Sequence, residues 1–119
     1  MHSYRVALAG SLLCLAACGG NTAAAVNGPT PPVPSADVHA TAALRFTPAN
    51  ITLVAGGTVT FDFEGVAHDV YFDNAPAGAP GNITTPTSNA SVARTFTTPG
   101  RFAYNCHIHP GMSGVIVVQ

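Results

Sequence analysis

The chain has 119 residues, 47% of them apolar and 8% charged, with a formal net charge of −1. One folded domain is the expectation for that length, and the high apolar and low charged content is not that of a disordered chain. There is no lysine, and Arg5, Arg45, Arg94 and Arg101 are spread along the chain, so no basic patch neutralises phosphates and nucleic acid is excluded as a partner.

Residues 1–17 open with a short, weakly positive start and continue as an apolar run too short to span a bilayer, the pattern of an export signal. The run ends in Leu15-Ala16-Ala17-Cys18-Gly19, which resembles the bacterial lipobox. There, small residues precede a cysteine that becomes the lipid-modified first residue of the mature protein. Cys18 is thus the predicted lipidation site; Cys14 leaves with the signal, and Cys106 remains as a lone thiol in an exported chain, which calls for a metal or a reactive role. Residues 18–37 are rich in Pro, Gly and Ala, cannot pack a core, and are expected to form an extended tether. The folded domain is expected over residues 38–119.

From residue 38 the pattern has period two. Val38, Ala40, Ala42, Leu44 and Phe46 share one parity, as in a half-buried strand, and residues 51–54 continue the β character. Ala55-Gly56-Gly57 reads as a turn, followed by a strand with Val59, Phe61 and Phe63 inward. In the next segment Val66, His68, Val70 and Phe72 share the inward parity, while Asp69 and Tyr71 face the other way. Residues 73–81 form a loop, and residues 91–97 a strand whose inner face is left open by Arg94 between Val92 and Phe96. After the Pro99-Gly100 turn, Phe102, Tyr104 and Cys106 alternate onto one face, and residues 115–118 close the domain as an apolar strand. No helical periodicity of useful length occurs. Seven or eight short strands predict an all-β, Greek-key β-sandwich.

One constellation carries chemistry. The run Cys106-His107-Ile108-His109-Pro110-Gly111-Met112 holds a thiol, an imidazole and a thioether on one short loop, and His68 adds a second imidazole from a distant inward-facing position. A thiolate and two imidazoles with a weak axial thioether suit an electron-transfer copper site. Zinc accepts the same cysteine and histidines but rarely recruits methionine, so Met112 favours copper. No nucleophile–base pair, phosphate loop or hydrolytic acid pair is visible, so an enzyme is not expected.

These stretches resemble the cupredoxins, the small blue copper proteins that include plastocyanin and amicyanin. The likeness rests on Phe46-Thr47-Pro48, Val54-Ala55-Gly56-Gly57-Thr58-Val59, Gly65-Val66-Ala67-His68-Asp69-Val70, and the run from Phe96 through Pro99-Gly100 to Cys106 and its loop. It implies one copper per chain, with His68 and His109 as imidazole ligands, Cys106 as thiolate and Met112 as axial ligand. The two residues between His109 and Met112 are similar to the short loop of amicyanin. Asp69 stands where many members have asparagine, and His107 where serine or threonine is common. Multicopper oxidases use histidines beside the cysteine to reach further copper, but Asn105 fills the other flank and His39 points outward, so His107 is read as a solvent-facing residue.

The expected protein is a monomeric blue copper carrier of single electrons between redox proteins of the bacterial envelope. It would sit on the periplasmic side, anchored by its lipid, in the outer membrane where there are two. The rival is a lipoprotein of the same fold that binds, buffers or delivers copper.

Overall fold

The computed structural model describes residues 30–119; the expected export signal and the expected lipidation site at Cys18 lie outside the described residues. Eight strands follow in order: β1 Val33–Thr41, β2 Arg45–Thr47, β3 Asn50–Phe63, β4 His68–Val70, β5 Ile83–Thr87, β6 Ala90–Phe96, β7 Gly100–Asn105 and β8 Ser113–Val118. No helix occurs among the described residues. The sheet order is β2-β1-β3-β8-β7 with β6 also on β3, and β4-β5 form a separate pair. The result is the expected β-sandwich.

The long strand β3 organises both layers. Its first part pairs in parallel with β8, from Asn50↔Val115 to Leu53↔Val118, and its second part pairs antiparallel with β6, from Gly57↔Phe96 to Phe63↔Ala90. The change of partner falls at Ala55-Gly56-Gly57, read from the sequence as a turn; the chain instead stays in strand and bends there. Gly56 has φ +87, and a Cβ on Gly57 would meet the carbonyl oxygens of Val54 at 2.8 Å and Pro34 at 3.0 Å. The two glycines therefore permit a bend that side chains would obstruct.

β1 begins at Val33, earlier than the boundary at residue 38 expected from apolar alternation. Ser35, Ala36 and Asp37 lie opposite Thr58, Val59 and Thr60 of β3. β2 covers β1 only over residues 39–41, so residues 33–37 form an edge where Pro34 can lack an N–H and polar side chains can face water. The inward series of the sequence reading holds for Val38, Ala40 and Phe46 but fails at Ala42 and Leu44, both exposed, Leu44 by 44%. The strand ends at Thr41, and Leu44, at φ 58, closes a turn through its N–H to the Thr41 carbonyl (3.0 Å) before β2 folds back onto β1.

Val59, Phe61, Phe63, Phe96, Phe102, Tyr104, Ile116 and Val118 fill the core. The ring of Tyr104 meets Phe46 and Phe61 edge-on at centroid distances of 4.9 and 5.5 Å, and its hydroxyl donates to the Ala49 carbonyl at 3.2 Å. Burial holds the phenol well above its ordinary pKa. Arg94 also finds a place: its guanidinium reaches over β6 to the carbonyls of Gly81 (2.7 Å) and Asn82 (3.1 Å), while Phe96 turns inward.

Candidate metal centre

The first residue of β4 is His68, whose side chain is fully buried. Cys106 directly follows β7 and Met112 directly precedes β8, each 3% exposed, so antiparallel neighbours fix both ends of the connecting loop. Two further bonds tighten that loop: the Cys106 N–H donates to the Met112 carbonyl (2.9 Å) and the Met112 N–H to the His109 carbonyl (3.1 Å). Gly111 takes the left-handed conformation the turn requires, φ +88. His109, half-buried on this loop, faces His68.

The donor atoms converge. Nδ1 of His68 lies 3.1 Å from Nδ1 of His109, and Cys106 Sγ lies 3.9 Å and 3.6 Å from these nitrogens. Among the described residues this is the group of three His, Cys, Asp or Glu able to hold a metal, and no carboxylate belongs to it. Two imidazoles and a thiol without oxygen donors suit copper and do not suit magnesium or calcium.

The surroundings set the ligand state. The ring Nε2–H of His68 donates to the Thr41 carbonyl at 3.0 Å, which leaves Nδ1 as the lone-pair nitrogen aimed at the cluster. Burial lowers the pKa of His68, and the nearby His109 lowers it further; the Thr41 bond and the charges of Asp69 and Glu64 oppose this. The balance favours the neutral ring that a metal needs. Thr41 was not legible as part of the site, because a backbone carbonyl carries no side-chain signature.

Two residues differ from the sequence reading. Asp69, on the outward parity, is only 4% exposed, because the start of the metal loop covers it and the His107 N–H donates to its Oδ1 at 2.6 Å. His107, read as merely facing solvent, is partly exposed but engaged: its ring stacks on Tyr71 at 3.7 Å and 10°, and its Nε2–H donates to Asp73 Oδ2 at 2.5 Å. That hydrogen bond is also the main cause of the lowered pKa of Asp73. The period-two spacing of Asp69, Tyr71 and Asp73 on one face was the available signal. His39 lies away from the cluster beside Asp62 (3.7 Å), and Cys18 is outside the described residues.

Comparison with known proteins matches this architecture. Residues 34–119 fit the family of copper binding proteins of the plastocyanin/azurin type. The chain is 37% identical over 89 residues to chloroplastic plastocyanin of Physcomitrium patens, covering 65% of this chain and 52% of that protein, about half its length. It is 32% identical over 81 residues to amicyanin-alpha of Methylorubrum extorquens, covering 66% and 67% of the two chains. Among solved structures, an amicyanin variant in its reduced Cu(I) form superposes with a TM-score of 0.61 at 25% identity, over 71% of this chain and 82% of the other. The copper-containing nitrite reductase of Thermus scotoductus superposes with a TM-score of 0.62 at 27% identity, over 76% of this chain but 23% of the reductase. The chain therefore belongs to the plastocyanin/azurin family of copper-binding proteins, the cupredoxins, and copper is its cofactor.

Proposed function

We propose that the protein is a one-electron carrier of the bacterial cell envelope, in which His68, Cys106, His109 and Met112 would hold the copper. The observation that carries this reading is the convergence of three donor atoms on a point held from two separate strands, with only His109 of the three short of full burial. Copper supplies a Cu(II)/Cu(I) couple there. The protein's part is to keep the ligands still: β7, β8 and the Cys106–Met112 backbone bond hold the loop, and the Thr41 carbonyl holds His68. That the related amicyanin was solved as a reduced Cu(I) form supports a fold that holds copper in the lower oxidation state.

His109 is the proposed exit for the electron. Ile108 beside it is 41% exposed, and Leu44 shares a surface groove of about 350 Å³ with Gly111 and Met112. Exposed apolar side chains around a partly buried ligand favour contact with a redox protein. A catalytic role is disfavoured, because the other histidines of the described residues, His39 and His107, pair with Asp62 and Asp73 and form no second cluster. Copper delivery is disfavoured too: Cys106 and Met112 are buried and tied to each other, which suits retention of the metal.

Export and anchoring belong to the same proposal and rest on the lipobox ending at Cys18. Residues 19–32 lie between that cysteine and β1, and fully extended they would reach at most about 50 Å from the membrane. The chain would act there as a monomer among unidentified redox partners.

The decisive experiment adds cupric ion to the purified metal-free protein and records its visible spectrum before and after a reductant. An intense thiolate-to-copper band that bleaches with the metal retained is the expected result; its absence overturns the carrier reading. For the anchor, Cys18→Ser is expected to release the protein from the membrane fraction, and unchanged membrane association would refute lipidation there.

A further inference from the structure

We propose that His107 is a positioning residue of the metal centre, gripped at three points by the segment that begins with His68, so that it fixes Cys106 before metal arrives. The proposal rests on the copper reading above for its consequence, but the clamp itself is a property of the metal-free chain.

Three alternate residues of one short segment touch this single side chain and its backbone. Asp69 Oδ1 accepts the His107 backbone N–H at 2.6 Å, the Tyr71 ring lies parallel to the imidazole at 3.7 Å, and Asp73 Oδ2 accepts the ring Nε2–H at 2.5 Å. The residue on the other side of Cys106 is tied to the same segment. Tyr71 and Asn105 exchange both backbone bonds, at 2.9 and 3.0 Å, and the Asn105 side-chain amide, in the orientation that satisfies its nitrogen and oxygen, donates to Asp73 Oδ2 at 3.2 Å. Cys106 is thus bracketed by two residues fastened to the stretch that carries His68.

The energy of these contacts in water is not their main effect. His107 and Asp73 side chains are 45% and 46% exposed, and an exposed ion pair contributes little to stability. What the clamp controls is geometry: it joins two ligands that are 38 positions apart along the chain into one rigid unit. A site ordered in advance loses less conformational freedom when it binds. The residue type matters as well. Any residue but proline would supply the backbone N–H to Asp69, but a flat group is needed to stack on Tyr71, and histidine is a compact one that also carries an in-plane N–H for Asp73.

The test compares the wild-type protein with His107→Ala, His107→Phe and Asp73→Asn, in two measurements. Backbone amide exchange at Asn105 and Cys106 in the metal-free chains reads the clamp without copper; copper affinity, by competition with a chromogenic chelator, reads its consequence. His107→Ala is expected to speed exchange at both amides and to weaken copper binding about tenfold, the lower end of the range for groups that orient metal ligands. His107→Phe is expected to recover most of both losses through the stack, and Asp73→Asn to fall between. If His107→Ala leaves exchange and affinity within twofold of wild type, or if His107→Phe is as impaired as His107→Ala, the positioning role is refuted. A wild-type chain that binds no copper but shows the expected exchange pattern would overturn the copper reading and leave the clamp standing.

Discussion

The two histidines of the metal centre are the same residue in unequal settings. His68 starts a strand, is fully buried, and has its outer nitrogen bound to a carbonyl of β1; His109 rides on a loop, is half-buried, and its Nδ1 faces His68 and Cys106. One side of the site is therefore built into the sandwich and the other is presented at its end. On the carrier reading proposed above, the difference separates two tasks that a redox centre must combine, holding ligand positions constant and letting electrons reach a partner.

The largest effect should come from the residue both sides share. Cys106→Ser replaces the soft sulfur with a hard oxygen, and the intense visible band is expected to vanish altogether; a variant that keeps it would place the thiolate elsewhere. Next, the histidines can be set against each other by shortening each to glycine and supplying imidazole from solution. His109→Gly opens a gap at the protein surface, so added imidazole is expected to restore the spectrum. His68→Gly leaves a cavity behind β4 that solvent does not reach, and recovery there should be far weaker. Equal recovery in both would erase the proposed asymmetry. A smaller effect tests the loop alone: Gly111→Ala meets no neighbouring atom, but φ +88 disfavours a side chain, so a destabilisation of about 1 kcal/mol is expected in denaturant unfolding of the copper-free protein.

The asymmetry also marks where the sequence could be read. Val59, Phe61, Phe63 and His68 point inward as their alternation predicted, because a half-buried strand writes its burial into every second residue. The donor cluster was legible for a related reason, since Cys106 and His109 are crowded onto one loop. Contacts made by backbone or between distant segments left weaker traces. The Thr41 carbonyl that orients His68 is chemically the same as every other carbonyl in the chain. Leu44 fitted the alternating pattern and still turned outward, because the Thr41–Leu44 turn interrupts the strand. Asp69 shares the parity of Tyr71 and Asp73, which predicted exposure, but parity cannot say that another loop will cover that face.

The buried side of the comparison carries a pH dependence. His68 has an ordinary pKa of 6.5 and a lower one in the folded protein, chiefly because burial disfavours the charged ring. The unfolded chain therefore binds this proton more readily than the folded chain, and stability must rise with pH wherever the two differ. The contribution is present in full above 6.5 and is lost as pH falls through the folded value, so the copper-free protein should weaken in mild acid. Each tenfold difference in proton affinity between the two states amounts to about 1.4 kcal/mol. Denaturant midpoints of the copper-free protein at about pH 7.5 and about pH 5 should differ in that direction, and His68→Phe, which has nothing to protonate, should flatten the difference. If His68→Phe leaves the difference unchanged, the acid sensitivity does not belong to the built-in side, and burial of His68 is not its source.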